Sequence, residues 1–378
     1  MPEMTRRERI MAASHKKRAD KLPFFHQWTH CQTGWAEREA RDRGMGMFWR
    51  RPGYTATIHD VEIIEQPVEV NGTKVLRRTY KTPVGTVYLD ERRAPGTGQW
   101  HADRGWKDVA PCWTERPIKG PEDYRVMKFI VEHTEYTPDY FPVEQALDWL
   151  GEDGIVVDYH SHQPIQTLML DWIGTGGGRF FIHHAKYPDL VDELCAAISK
   201  SRESLYKIQS KSPAEIIWLA DNIDGVLTNP KIFEKYCMPE YEKMAAFFHG
   251  NGKLFAVHMD GRVGNLKELI TKTPIDIIEA LTPPPMGDLP IGEALSLWRD
   301  KVIWTGFPGS VYMLGSEATK KFALDLLREV APGGRLCVEM STENLVSNEN
   351  LVILTSVLEK ADLPLTPQKI DRIERLLQ

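Results

Sequence analysis

The feature that most limits what this chain can fold into is a set of four apolar segments in its second half, each running into polar residues capable of chemistry. Ile216 to Ala220 leads into Asp221-Asn222-Ile223-Asp224, Leu254 to Val257 into His258-Met259-Asp260-Gly261, Ile275 to Ile278 into Glu279, and Leu336 to Val338 into Glu339-Met340-Ser341. Helical patterns separate most of them, and strand alternating with helix is the pattern of a parallel sheet buried on both faces. Closed into a barrel, such a sheet brings the polar endings to one mouth. The expected fold class is therefore α/β, a single (β/α)8 TIM barrel with an N-terminal antiparallel β insertion.

A chain of 378 residues accommodates one large barrel with insertions. The net charge of -6, with acids and bases interspersed, leaves no basic stripe for nucleic acid and no polybasic arm for a membrane surface. Cys31, Cys112, Cys195, Cys237 and Cys337 are scattered, odd in number and without a CxxC pair, so no disulfide framework is expected. The N-terminal stretch is charged and carries the capping-box pattern Thr5-Arg6-Arg7-Glu8, and no run reaches about 18 apolar residues. A cytoplasmic protein is expected.

Read along the chain, Lys21 to Trp28 is a short buried strand that delivers His26 and Trp28 to its end, the first strand of the barrel. From about Tyr54 to Asp90 the sequence becomes β-rich and partly alternating, with turns at Asn71-Gly72 and Val84-Gly85. Residues 91 to 120, with Trp100, Trp106 and Trp113, read as an ordered loop or lid. The domain expectation is one barrel over 1–378, with 54–120 as a β-rich insertion and lid. Helical patterns cover Pro121 to His133, Pro142 to Leu150, Tyr187 to Gln209, Lys231 to Phe248 and Glu317 to Val330, with shorter ones at Asn265 to Lys272, Ile291 to Arg299 and Asn348 to Ala361. Gly154 to His160 and Val302 to Thr305 are strands, the second ending at Gly306-Phe307-Pro308-Gly309, and Thr366-Pro367 opens a last helix.

His258-Met259-Asp260 is the sharpest local signal, because residues two apart on a strand point the same way, so imidazole and carboxylate can share a metal ion or a proton. Glu279 and Glu339 stand where later strands end, and three protein ligands with an open position make a catalytic zinc site. Cys337 shares the strand face of Glu339 and is either a ligand or a buried small hydrophobe. Glu279 among Ile277, Ile278, Ala280 and Leu281 needs a cation, a donor or a proton. Asp221 and Asp224 read as a general base or as partners to a ligating histidine, with Asp224-Gly225 equally readable as a capping turn. Of His160-Ser161-His162, one imidazole is expected to be structural. His183-His184 is a weaker signal, and Gly176-Gly177-Gly178 lacks what a phosphate loop needs.

Pro164-Ile165-Gln166, the Asp221 to Gly225 segment, His258-x-Asp260-Gly261 and Ile277-Ile278-Glu279-Ala280-Leu281-Thr282-Pro283-Pro284-Pro285 resemble the uroporphyrinogen decarboxylase superfamily of single (β/α)8 barrels. The true decarboxylases of that superfamily carry a Met-Arg-Gln-Ala-Gly-Arg motif near the first strand; here Phe24-Phe25-His26-Gln27-Trp28-Thr29 has no arginine, which speaks against porphyrinogen decarboxylation. The other branch, zinc methyltransferases, often has His-x-Cys-Gly and a later Cys. Here Asp260 replaces the first Cys, and the later position falls near Glu339 to Ser341. Oxygen-rich ligation makes a harder Lewis acid, suited to a methyl ether oxygen. The set is similar to the first methyltransferases of corrinoid-dependent O-demethylases, which move a methyl group from a methoxylated aromatic to a corrinoid protein.

What the resemblance implies is a Zn2+ site from His258, Glu279, Glu339 and Cys337, catalytic Asp221, Asp224 and Asp260, and substrate contacts from His26, Trp28, His160, His162, Asn222 and Phe307. Trp28, Phe48, Trp49, Trp100 and Trp106 would add an aromatic pocket, although core packing accounts for them equally. Corrinoid would arrive on a partner protein, since the chain shows no cobalamin-binding domain of its own. The oligomeric state stays open, a homodimer being one form. Two alternatives stand beside this: a metal-free decarboxylase or lyase of the same fold acting on a small carboxylated substrate, and a noncatalytic subunit that docks a corrinoid protein.

Overall fold

The computed structural model describes residues 3–92, 112–341 and 346–377. The chain divides into two compact units, one of Met1–Gly53, Tyr140–His160 and Ser212–Gln378, the other of Tyr54–Asp139 and Ser161–Lys211.

In the first unit, eight strands among the described residues close into a parallel barrel. They are β1 (Phe24–Gln27), β2 (Gly46–Arg51), β9 (Gly154–His160), β10 (Ile216–Leu219), β11 (Leu254–His258), β12 (Ile277–Leu281), β13 (Val302–Gly306) and β14 (Leu336–Glu339), in the order β1-β14-β13-β12-β11-β10-β9-β2. The numbers between β2 and β9 belong to the second unit. The barrel strands are buried on both faces, which is why they read as continuous apolar runs. Helices flank the barrel, so the fold is a (β/α)8 TIM barrel. Seven of the eight strands lie where the apolar runs place them. The sequence reading left out β2, because Gly-Met-Phe-Trp-Arg-Arg carries two charges and aromatics that read as a pocket wall.

Alternation sorts the side chains. Phe25, Phe48, Ile155, Val157, Ile216, Trp218, Ala256, Ile277, Val302, Trp304 and Cys337 fill the barrel interior. Phe25, Phe48 and Trp304 meet in edge-on and tilted contacts with ring centroids 5.1 to 5.6 Å apart. Phe48 is thus core, not pocket lining. Trp49, one residue on, faces away and meets Trp28 in a tilted contact with centroids 5.0 Å apart, while Trp100 and Trp106 lie outside the described residues. The capping box at Thr5 and Glu8 is formed and starts the helix Arg6–Ser14, whose Ile10 and Ala13 join the barrel core. Gly154 opens β9 because a Cβ there would lie 1.9 Å from the Met47 carbonyl oxygen of β2.

The second unit holds two antiparallel sheets that fit the expected β insertion. β3 (Tyr54–Ile58) pairs with β8 (Thr134–Pro138), and β4 (Glu62–Val70), β5 (Thr73–Thr82), β6 (Gly85–Arg92) and β7 (Cys112–Glu115) form a four-stranded sheet. The turn at Asn71-Gly72 has positive φ at both residues, 49° and 76°, as its sequence demands. Most of the expected lid, residues 93–111, lies outside the described residues. The helix expected over Tyr187 to Gln209 breaks at Arg202 into Pro188–Ser201 and Glu203–Gln209.

Candidate active site

At the C-terminal mouth of the barrel, inward positions one layer above the apolar core carry polar groups: Gln27 on β1, Arg50 on β2, His258 on β11, Glu279 on β12 and Glu339 on β14. Registers bring them together, since β11 and β12 pair His258 with Glu279 directly. A cavity of about 460 Å³ opens over this layer, and Gln27, Arg50, His258, Asp260, Phe307 and Glu339 are among its walls.

His258 Nδ1 and Glu279 Oε2 are 2.5 Å apart, and Glu279 is fully buried. Nε2 of the same ring points outward, 3.6 Å from Oδ2 of Asp260, which is exposed at the rim. Burial opposes the imidazolium, but the charge of Glu279 and hydrogen bonding to Asp260 and Glu279 outweigh it and hold the His258 pKa well above its usual value. Burial likewise works against the Glu279 and Asp260 carboxylates, and His258 more than compensates, so both stay below the usual range.

Glu339 behaves in the opposite way. Burial first, then the charge of Glu279, push its carboxyl well above the ordinary value. Gln27 Nε2 donates to Glu339 Oε1 at 2.6 Å. Glu339 Oε2 and Glu279 Oε1 are buried without a partner of normal hydrogen-bond geometry. Two neighbouring carboxyl groups with one such oxygen each are satisfied by a single shared proton. Within one layer, the shifts thus favour a proton on His258 and on Glu339 and disfavour one on Glu279.

Backbone geometry beside Glu279 is unusual. Ala280 has φ +58° and the register with β13 shifts there, a bulge that turns Ala280 to the cavity wall. Gly306 stands opposite because a Cβ would lie 3.1 Å from the Ala280 carbonyl oxygen. Such bulges re-aim side chains next to sites.

The zinc set implied by the resemblance does not assemble. A zinc site needs three or more donors about 2.0 to 2.3 Å from one point, and among the described residues no group of three or more His, Cys, Asp and Glu side chains is disposed to hold a metal ion. Glu279 occupies His258 Nδ1 and so orients the ring. Cys337 is two residues before Glu339 on the same face, hence roughly 6 to 7 Å lower in the barrel. There it packs among Phe25 and Trp304, with burial raising its thiol pKa. It is a core residue, and its assignment as a ligand is corrected. His258, Asp260 and Glu339 all line the mouth cavity, but they do not form a group disposed to hold a metal ion.

Most of the other expected residues do not line this cavity. Asp221 is buried and accepts from the Tyr241 hydroxyl at 2.8 Å. Asp224 braces its loop: Oδ1 accepts from the Val226 and Leu227 amides at 2.8 and 3.3 Å, and Oδ2 from the Arg262 amide at 3.1 Å. That is the capping turn that the sequence also allowed, and it engages both carboxylate oxygens. Asn222 is exposed. His26 and His160 are buried and, by alternation, lie on the strand faces opposite Gln27 and Tyr159; His26 Nδ1 sits 3.0 Å from the Gln27 carbonyl oxygen. His162, in the second unit, pairs with Asp171 at 2.8 Å. None of these six, nor Trp28, lines the mouth cavity, whereas Phe307 does, braced by Tyr312 and Phe322.

Among the wall residues that escaped the sequence reading are Gln27, His30 and Arg50. Gln27 was hidden between His26 and Trp28. Arg50 lies on the strand that was left out, with its guanidinium 4.8 Å above the Trp218 ring and no ion pair among the described residues. The first strand has no arginine, but the second supplies one to the same mouth. Alternation from Phe48 would have found it.

No curated protein sequence matches the chain, and no described helix is long and apolar enough to cross a membrane. The family model described as Uroporphyrinogen decarboxylase (URO-D) matches residues 167–282, a span that includes β10, β11 and β12 and so both His258 and Glu279. The superfamily is mostly enzymatic and includes both decarboxylases and methyltransferases. This match, over less than half of the chain, and the closed eight-stranded barrel are a similarity to the uroporphyrinogen decarboxylase family.

Proposed function

We propose that the chain is a methyltransferase that passes a methyl group from a small methoxylated aromatic to a reduced corrinoid on a partner protein, with His258 as proton donor to the departing oxygen. The observation that carries this reading is the His258–Glu279 pair: a charged imidazole held by a buried carboxylate, with its outer nitrogen facing a cavity of about 460 Å³. Phe307 offers an apolar wall to an aromatic ring, and Arg50 offers a cation to any acidic group on it. The corrinoid supplies the nucleophile at the methyl carbon. As the carbon–oxygen bond breaks, its electron pair stays on oxygen, and the proton on His258 Nε2 converts the phenolate to a phenol. Glu279 holds the positive charge in place beforehand, and the carboxylate of Asp260 at the rim, 3.6 Å away, favours recovery of the proton by the ring from water. Zinc has no step in this reading, because no group of three or more ligating side chains among the described residues is disposed to hold it.

A second reading is favoured by Arg50. An unpaired guanidinium at the mouth also suits a lyase that holds a carboxylated substrate and protonates the carbanion left by CO2. A screen of methoxylated aromatics with cob(I)alamin or a corrinoid protein, followed by methyl-corrinoid absorbance, separates the two. Methyl-corrinoid formed by the wild type and lost in His258→Ala supports methyl transfer. CO2 release without methyl-corrinoid supports the lyase, and transfer that is unchanged in His258→Ala removes His258 from the reaction. Corrinoid-protein docking without either product would leave only a binding subunit.

A further inference from the structure

The second compact unit contains a cavity of its own, about 190 Å³, that shares no lining residue with the barrel mouth. Met127, Ile130, Trp172 and Ile198 make its walls largely apolar, and Tyr136 and Arg202 add a phenol and a guanidinium. Arg202 is only 7% exposed. Its hydrogen-bond partners are all uncharged: Nη1 donates to the His162 carbonyl oxygen at 2.5 Å, Nη2 to Thr167 Oγ1 at 3.3 Å, and the Tyr136 hydroxyl is a further contact. Among the described residues no carboxylate forms an ion pair with it.

A buried cation without a counter-charge is costly, and the carbonyl end of the helix Pro188–Ser201, which Arg202 caps, offsets only part of that cost. Other polar groups on the wall are already engaged, Ser201 Oγ with the Val131 carbonyl at 3.1 Å and Thr134 Oγ1 with the Ile130 carbonyl at 2.7 Å. The cavity thus offers one unmatched charge, the phenols of Tyr80 and Tyr136, and otherwise mostly hydrocarbon. A hydrocarbon cavity of about 150 Å³ holds a benzene ring. The space here takes a ring with a short acid arm and excludes anything the size of a tetrapyrrole.

We propose that this cavity is a binding site for a small monocarboxylate with an apolar ring or short chain, its carboxylate paired with Arg202 and its body against Ile130, Trp172 and Ile198. The site is independent of the reaction at the barrel mouth and stands whichever chemistry occurs there.

Titration calorimetry of the full chain with 3-phenylpropionate and with its neutral amide tests this. The expected result is one-to-one binding of the acid, with the amide at least about tenfold weaker, one buried charge pairing being worth that much or more. Ile130→Trp, which fills the cavity, should abolish binding while circular dichroism and the melting curve stay native. Ile198→Phe is the alternative filling variant. Arg202→Met should lose the preference for the acid. His258→Ala and Arg50→Met should bind as wild type, which places the acid away from the barrel mouth. No binding, equal binding of acid and amide, wild-type affinity in a folded filling variant, or loss of binding in Arg50→Met each overturns the proposal.

Discussion

Replacing Glu279 by Gln keeps the shape of a fully buried side chain and removes only its charge. In the wild type that charge lies against the His258 imidazole across a 2.5 Å contact, with His258 Nε2 facing Asp260, and it pushes the neighbouring Glu339 carboxyl up. Removing one partner of a buried ion pair costs about 3–5 kcal/mol when the other stays charged. Here the amide oxygen still accepts from Nδ1 and the imidazole can release its proton, so the expected loss at neutral pH is about 1–3 kcal/mol. The sign with pH follows from the directions of the shifts. His258 is raised, so its contribution is complete below its unfolded value and is lost as pH rises through the folded one; Glu279 is lowered, so its contribution is complete above its unfolded value and is lost as pH falls through the folded one. The difference between wild type and variant should therefore be largest between those limits and shrink on both sides. Urea denaturation across pH gives the stability difference, and imidazole NMR of the 12 histidines, with His258→Gln for assignment, gives the titration. His258 should titrate lower in the variant, and Glu339, freed from a neighbouring negative charge, should titrate lower too. A variant within about 0.5 kcal/mol of wild type at neutral pH, or a His258 titration that does not move, would refute the reasoning.

Other expectations follow from the same geometry. Turnover should persist through neutral pH and decline on the alkaline side as His258 loses its proton, measured as kcat against pH; a decline that begins at the ordinary imidazole value of about 6.5 would contradict the raised pKa. Arg50→Met should raise KM for methoxylated benzoates by about tenfold or more while leaving neutral methoxylated rings unaffected, read from steady-state kinetics. Cys337→Ala should destabilise the barrel by about 1 kcal/mol through the small cavity it leaves, with kcat unchanged; a large loss of kcat would return the thiol to the site. Asp224→Ala should cost about 1–3 kcal/mol in chemical denaturation by releasing three backbone amides, with substrate affinity at the mouth retained.

Much of the architecture was legible in the order of residues. Apolar runs of strand length ending in His258, Glu279 and Glu339, with helical patterns between them, already required a parallel sheet, and seven barrel strands were found this way. β2 was not, because a strand buried on both faces shows no alternation and its two arginines disguised it, so Arg50 was missed with it. Asp224-Gly225 carried both a catalytic and a turn reading, and only the structure shows the three amides around its carboxylate that make the turn.

The sequence by itself determined which residues end their strands and which face of a strand each side chain takes, since these follow from a repeat of two. Only the tertiary structure decided which endings meet. Register and closure set His258 against Glu279, raise Glu339 into the same layer and leave Cys337 one layer down. The reason is that height along a barrel axis depends on pairing between strands far apart in the chain, and no local pattern encodes that pairing.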